Sequence, residues 1–261
     1  MPRLLLPTAL ALVLALASCS RPDPTRLLTA AVQAARENRL PEAERLSREC
    51  LRAAPGNVDA LILNSYCKFL SDERASERKI ALYNLSKTTN LAPDNFATHY
   101  FYGWALLRNK QSLDALPELE RALKLMPKDS PHLANLRLLL ATCYIENNLQ
   151  DKALQILQLL QRVKPYRDWP ELYNCLGLLA IKNGQAKTAK RFFENGLDLA
   201  PDNETLLLNL AVTFDQYLNA PDEAMKCYNK CKAAKFRRKE FNDEAFKALD
   251  RRTRQLASRR R

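Results

Sequence analysis

The chain of 261 residues carries a formal charge of +12, a hydrophobic share of 47% and only five glycines. So little glycine beside abundant Leu and Ala excludes a loop-rich β protein and points to an all-helical one. Beyond the N-terminus no stretch reaches the ~20 apolar residues that a membrane-spanning helix needs, so the body of the protein is expected to be soluble.

Residues 1–18 begin with one basic residue, Arg3, run through apolar residues from Leu4 to Ala17, and end on small residues before Cys19. This is the layout of a secretion signal. As a helix the apolar run reaches about 21 Å, short of a ~30 Å hydrocarbon core, which argues against a retained anchor. Leu16, Ala17, Ser18 and Cys19 together resemble the lipobox of bacterial lipoproteins. The resemblance implies that the signal is removed before Cys19 and that the cysteine is acylated. Ser20, rather than an aspartate, implies passage to the outer membrane, facing the periplasm. Residues 19–24 then form a linker so short that the first helix is held within about 20 Å of the lipid surface.

Prolines at 55, 93, 127, 165 and 201 each close a helical pattern, at spacings of 38, 34, 38 and 36 residues. Counting back from them exposes a rule: a small residue, a second 12 later, a third 7 later, and proline 5 after that. Gly103, Ala115, Ala122 and Pro127 obey it, as do Gly177, Ala189, Gly196 and Pro201, and Ala31, Ala43, Cys50 and Pro55. Ala141, Ala153, Leu160 and Pro165 fit with one larger member. The last unit, Ala211, Ala224 and Cys231, carries one extra residue and lacks its proline; the second keeps Ala81 and Pro93 but is irregular before them.

Small side chains at these positions let two antiparallel helices approach closely, so bulk at Gly103 or Gly177 is expected to force a hairpin apart. Proline has no N–H to donate and disfavours helical geometry in the residue before it, so it ends each second helix. Turn signals fall inside the hairpins at 38–41, 109–112, 147–150, 183–185 and 219–221.

Across residues 25–236 this spacing resembles the tetratricopeptide repeat family. The resemblance implies an all-α, right-handed superhelical solenoid of about six hairpins with a concave groove. A stack whose units bury their apolar faces only against neighbours needs a cap. Residues 237–261 are expected to supply it, with Phe241, Ala245 and Leu249 at helical spacing and a basic tail.

In this family the first helix of each hairpin lines the groove. Carried onto this sequence, that places Ile62, Tyr66, Phe69, Tyr100, Trp104, Leu138, Thr142, Ile145, Asn174, Leu178, Leu208 and Val212 on the binding face. The stripe is mostly apolar and aromatic, which suits an extended or helical apolar peptide, although aromatic residues at helical spacing also pack into cores. The Lys, Asn and Arg clamp with which some members grip a C-terminal carboxylate is absent, because those positions hold Tyr100 and Trp104, Leu138 and Thr142, and Asn174 and Leu178.

The six cysteines after Cys19 show no CxxC pair, and they are read as small buried thiols rather than metal ligands. His99 and His132 belong to no hydrolase or metalloprotease motif. No cofactor, metal or catalytic centre is therefore expected. Residues 232–261 hold twelve Lys or Arg against four acids. Arg237, Arg238, Lys239, Arg251, Arg252 and Arg254 are the candidate contacts for an anionic lipid or envelope polymer, with nucleic acid disfavoured by the expected compartment. The reading is a membrane-anchored scaffold that docks an envelope protein during pilus, secretion or outer-membrane assembly. The alternative is a regulatory adaptor of a peptidoglycan enzyme or protease.

Overall fold

Five of the turns inside hairpins hold one residue in the left-handed region: Asn38, Lys110, Asn148, Gly184 and Asn219, with φ of 57°, 61°, 56°, 71° and 49°. Only Gly184 adopts that conformation without steric cost. Asparagine is the next most tolerant residue, and at Lys110 the turn carries roughly 1 kcal/mol of strain. After three of these residues the chain donates back across the helix end, from Arg39 N to Ala34 O, Leu149 N to Tyr144 O and Gln185 N to Ala180 O, each at 2.8 Å. The bond satisfies a terminal carbonyl and reverses the chain within three residues.

The computed structural model describes residues 23–71, 75–237 and 244–258. The signal segment, Cys19, Arg238, Lys239 and Phe241 lie outside the described residues. Fourteen helices occur among those described: α1 (Pro24–Arg36), α2 (Leu40–Ala53), α3 (Val58–Ser71), α4 (Ala75–Leu91), α5 (Phe96–Arg108), α6 (Ser112–Leu125), α7 (Leu133–Glu146), α8 (Gln150–Arg162), α9 (Lys164–Arg167), α10 (Pro170–Lys182), α11 (Ala186–Leu199), α12 (Glu204–Val212), α13 (Pro221–Arg237) and α14 (Glu244–Ser258). No strand occurs among the described residues. The fold is a helical solenoid built of stacked hairpins.

Between hairpins the entry to the next helix is set by asparagine. Asn57 Oδ1 accepts from Ala60 N at 2.9 Å, Asn95 Oδ1 from Ala97 N at 2.9 Å, and Asn203 Oδ1 from Leu206 N at 3.1 Å. Each follows a proline by two residues, so Pro-x-Asn stops one helix and caps the next. An asparagine cap of this kind stabilises a helix by ~1 kcal/mol.

The chain forms two units, residues 1–106 and 107–261, the boundary falling near the end of α5. In the first, α1 packs on α2, α2 on α3 and α3 on α4, while α1 also touches α3. In the second, α7, α10 and α12, the first helices of successive hairpins, stack directly on one another, each backed by its own second helix.

The second hairpin also buries residues at the three small-residue positions. There the residues are Ser65, Ala81 and Thr88, all 0% exposed, followed by Pro93. The first interval is 16 rather than 12, yet α3 and α4 are separated by three residues, as are the helices of the first and third hairpins. The irregularity read from the sequence is thus a lengthening of the helices, one residue at the end of α3 and three at the start of α4, with Ser and Thr in the places of Ala and Gly. Ser65 Oγ has no hydrogen-bond partner, whereas Thr88 donates to Leu85 O at 2.6 Å.

Gly177 shows how tight the approach is. A Cβ built there would stand 2.3 Å from Phe193 Cε1, on a ring that is itself 0% exposed. The extra residue of the sixth hairpin is absorbed differently, as a wide π-turn over Thr213–Tyr217 that continues α12.

That turn has a consequence for the end of the stack. It holds the carboxylate of Asp215, whose side chain is 4% exposed, against Arg252 of α14. Arg252 Nε and Nη2 donate to the two carboxylate oxygens at 2.7 and 2.6 Å, and the Tyr228 hydroxyl donates at 3.2 Å. Leu249 and Leu256 of α14 join the apolar cluster of Leu206, Leu210 and Tyr228, so α14 closes the array as the sequence suggested.

Candidate functional site

In the first unit the stripe from α3 and α5 converges on one aromatic cluster. The Tyr66 ring lies 5.0 Å from Trp104 and 5.5 Å from Phe101, Phe69 lies 5.2 Å from Trp104, and Tyr100 lies 5.1 Å from Phe101. Edge-on and tilted pairs of this kind add ~1 kcal/mol each beyond the area they bury. Ile62 and Phe69 are buried, at 5% and 6% exposure, while Tyr66, Tyr100 and Trp104 are half-buried. Burial, then the neighbouring Tyr66, pushes the Tyr100 phenol up, so it stays a hydrogen-bond donor at neutral pH.

The guanidinium of Arg78 sits 5.9 Å above the Phe69 ring, and Lys68 Nζ pairs with Glu77 at 2.9 Å. Both contacts tie α4 to α3 beside the cluster. The aromatic surface is therefore positioned by a charged frame as well as by its own stacking.

In the second unit Leu138 and Ile145 are buried core, and Thr142, Asn174, Leu178 and Val212 are half-buried along the faces of α7, α10 and α12. Asn209 Nδ2 donates to Asn174 Oδ1 at 2.7 Å, joining adjacent first helices through side-chain amides. The Thr142 hydroxyl donates to Leu138 O at 3.0 Å and lies 3.5 Å from Cys175 Sγ. Leu208 is 38% exposed and lines a cavity of about 540 Å³ shared with Tyr228 of α13 and Ala248 and Leu249 of α14. Asn209 was missed from the sequence, although its spacing of 35 residues from Asn174 matches one repeat.

The cysteines behave as packing residues. Cys50, Cys67, Cys143, Cys175 and Cys231 are buried, Cys227 is half-buried, and none of them is joined in a disulfide among the described residues. Cys50 Sγ donates to Pro24 O at 3.3 Å and Cys143 Sγ to Ser112 O at 3.1 Å, each bridging one helix to the first turn of another. Burial pushes the thiols of Cys67, Cys143 and Cys175 up to about 11. His99, 9% exposed, directs Nε2 at Pro93 O at 2.9 Å. A carbonyl only accepts, so that nitrogen carries a proton and secures the turn before α5.

Of the basic residues singled out in the sequence, Arg252 is consumed by Asp215, and Arg237 pairs with Asp202 at 2.9 Å. Arg251 and Arg254 are exposed on α14.

Residues 106–173 and 170–203 each match a family model described as a tetratricopeptide repeat. The protein O-mannosyl-transferase TMTC1 of Homo sapiens is 30% identical over 97 residues, which make up 37% of this chain and 11% of that protein. The chain thus matches about a tenth of the curated relative's length. Among solved structures, PilW, titled a widely conserved type IV pilus biogenesis factor, superposes with a TM-score of 0.64 at 16% identity, over 87% of this chain and 97% of that one. PilF of Pseudomonas aeruginosa gives 0.57 at 15% identity, over 87% and 96%. A chain of the APC/C hetero-tetramer Cut9–Hcn1 gives 0.66 at 16%, over 94% and 46%. At these identities the likeness is one of fold.

Proposed function

We propose that this chain, a member of the tetratricopeptide repeat family, is a lipid-tethered docking scaffold of the bacterial cell envelope that works by binding rather than by catalysis. The observation that carries the reading is the half-buried aromatic surface of Tyr66, Tyr100 and Trp104 on two adjacent first helices. Tyr and Trp supply large contact area at small entropic cost and dominate the energetics of protein interfaces. The fold likeness to PilW and PilF favours assembly of a pilus or related envelope complex as the setting. The layout of residues 1–19, with Cys19 as the acylated residue, supports a tether to the outer membrane facing the periplasm.

The test isolates partners on the polypeptide of residues 20–261, which contains every described residue, and repeats the isolation with Tyr100→Ala and with Trp104→Ala. Loss of an aromatic anchor costs roughly 2 kcal/mol, or about thirtyfold in affinity. Recovery of the same partners at undiminished yield from both variants, with helical circular dichroism intact, defeats the groove as the docking face.

A further inference from the structure

The cations of α14 divide by face. Arg252 turns inward to Asp215, and Asp250 accepts from Lys232 Nζ of α13 at 2.6 Å, so two ion pairs hold the helix in one orientation on the stack. Leu249, Thr253 and Leu256, at 6%, 6% and 3% exposure, complete the inner side. Opposite them stand Lys247, Arg251 and Arg254, all exposed, at steps of four and three residues. That spacing puts them in a single row about 10 Å long. Arg254 keeps a contact of 2.7 Å with Asp250 but leaves 81% of its side chain in water. Beside the row Ala248, Gln255, Ala257 and Ser258 are exposed and small or neutral, and the one acid at the same helical spacing is Glu244, at the start of the helix.

We infer that this outer face of α14 is a docking ridge for an anionic phospholipid surface. A straight row of cations with low neighbours lets the helix lie flat, so that several headgroup phosphates are met at once. The row carries no aromatic side chain on which a base would stack, which disfavours single-stranded nucleic acid. It is fixed in place by the inward ion pairs, so its cations are presented together and not as a loose basic tail. The choice of lipid over an acidic protein rests on the tethered reading given above. The ridge itself stands on the geometry of α14. It would hold the end of the array against the same kind of surface that the N-terminal lipid enters.

The probe is a vesicle series of phosphatidylcholine with increasing phosphatidylglycerol, tested by co-sedimentation with the unacylated polypeptide of residues 20–261. Because no acyl chain is present, failure of the ridge is distinguishable from failure of the Cys19 tether, which fatty-acid labelling reads separately. The unsubstituted protein is expected to bind in proportion to phosphatidylglycerol and to be released by salt. The triple variant Lys247→Gln, Arg251→Gln, Arg254→Gln is expected to bind roughly 100-fold more weakly, and Arg251→Gln alone roughly fivefold. A control with equal loss of charge, Lys152→Gln, Lys187→Gln, Arg191→Gln, uses exposed residues of α8 and α11 and is expected to change binding by less than about threefold.

Equal losses from the two triples overturn the inference in favour of diffuse net charge. Binding that ignores phosphatidylglycerol overturns it as well. So does tighter binding, at the same salt, to polyglutamate or to a single-stranded oligonucleotide than to the anionic vesicles.

Discussion

Replacing Gly177 by alanine sets two effects of known sign against each other. In a helix interior alanine is favoured over glycine by about 1 kcal/mol, and Gly177 lies in the middle of α10. Against this, the new Cβ would meet Phe193 Cε1, Cζ and Cδ1 at 2.3, 2.6 and 2.7 Å. Relief requires the ring or a helix to move by about an ångström. Because Phe193 is 0% exposed, the ring cannot swing into solvent. Overpacking of this severity costs ~3–4 kcal/mol, the upper end of the range for inserted methyl groups, leaving a net loss of ~2–3 kcal/mol. At Gly196 the nearest atoms are the two methyl carbons of the buried Leu206, at 2.8 and 3.0 Å, and Tyr173 Cβ at 3.1 Å; the overlap is half an ångström smaller, so the same change there is expected to cost ~1 kcal/mol. At Gly56 nothing stands within 4 Å, and the change is expected to fall within about 0.5 kcal/mol of neutral. Urea unfolding followed by circular dichroism gives the order Gly177→Ala, Gly196→Ala, Gly56→Ala. Adding Phe193→Leu to Gly177→Ala should recover ~1–2 kcal/mol relative to the sum of the single changes. A Gly177→Ala protein as stable as its parent, or a double variant with no coupling, refutes the argument that hairpin approach is limited by this contact.

Four further outcomes are expected. Ser65→Ala should stabilise the fold by ~1 kcal/mol, because the buried hydroxyl has no partner and the hairpin needs only a small side chain there; denaturant midpoints test it. Asp215→Asn should free α14, at a cost of ~2–3 kcal/mol, the low side for a buried pair because Arg252 retains 32% exposure. Hydrogen exchange should then show lost protection in α14 while α10 and α11 stay protected. The thiols of Cys67, Cys143 and Cys175 rise on folding from 9.0 to about 11, so the stability they contribute is intact below pH 9 and lost as pH climbs toward 11. Thermal melts across that window should fall steadily, and a flat profile counts against buried neutral thiols. Finally, Cys19→Ala should abolish fatty-acid labelling and signal removal; continued labelling would remove the tether from the proposal.

The helical hairpins were legible because proline position and small-residue spacing report directly on backbone geometry, which is local and periodic. The second hairpin was harder to read, since Ser65 and Thr88 are polar in sequence yet serve as small core residues, and four extra residues in α3 and α4 hid their interval. The candidate site was legible only in direction. Helical period places Ile62 and Phe69 on the same stripe as Tyr66 and Trp104, but whether a residue on that stripe is buried or half-buried depends on how closely the next helix stacks. Arg252 illustrates the same limit. Among basic neighbours it reads as surface, and only the π-turn far upstream makes it the partner of the buried Asp215.

That π-turn and the long second hairpin are both errors of length in an otherwise regular series. One extra residue is swallowed by a local widening of the helix, four lengthen α3 and α4, and in each case the following interval of seven returns to step. A stack in which every member leans only on those beside it keeps such faults from travelling, as a brick cut too long disturbs one course of a wall. Hairpins of this array can therefore take up extra residues along their helices while the interior goes unrevised, and in the sixth such a fault presents a carboxylate to the last helix.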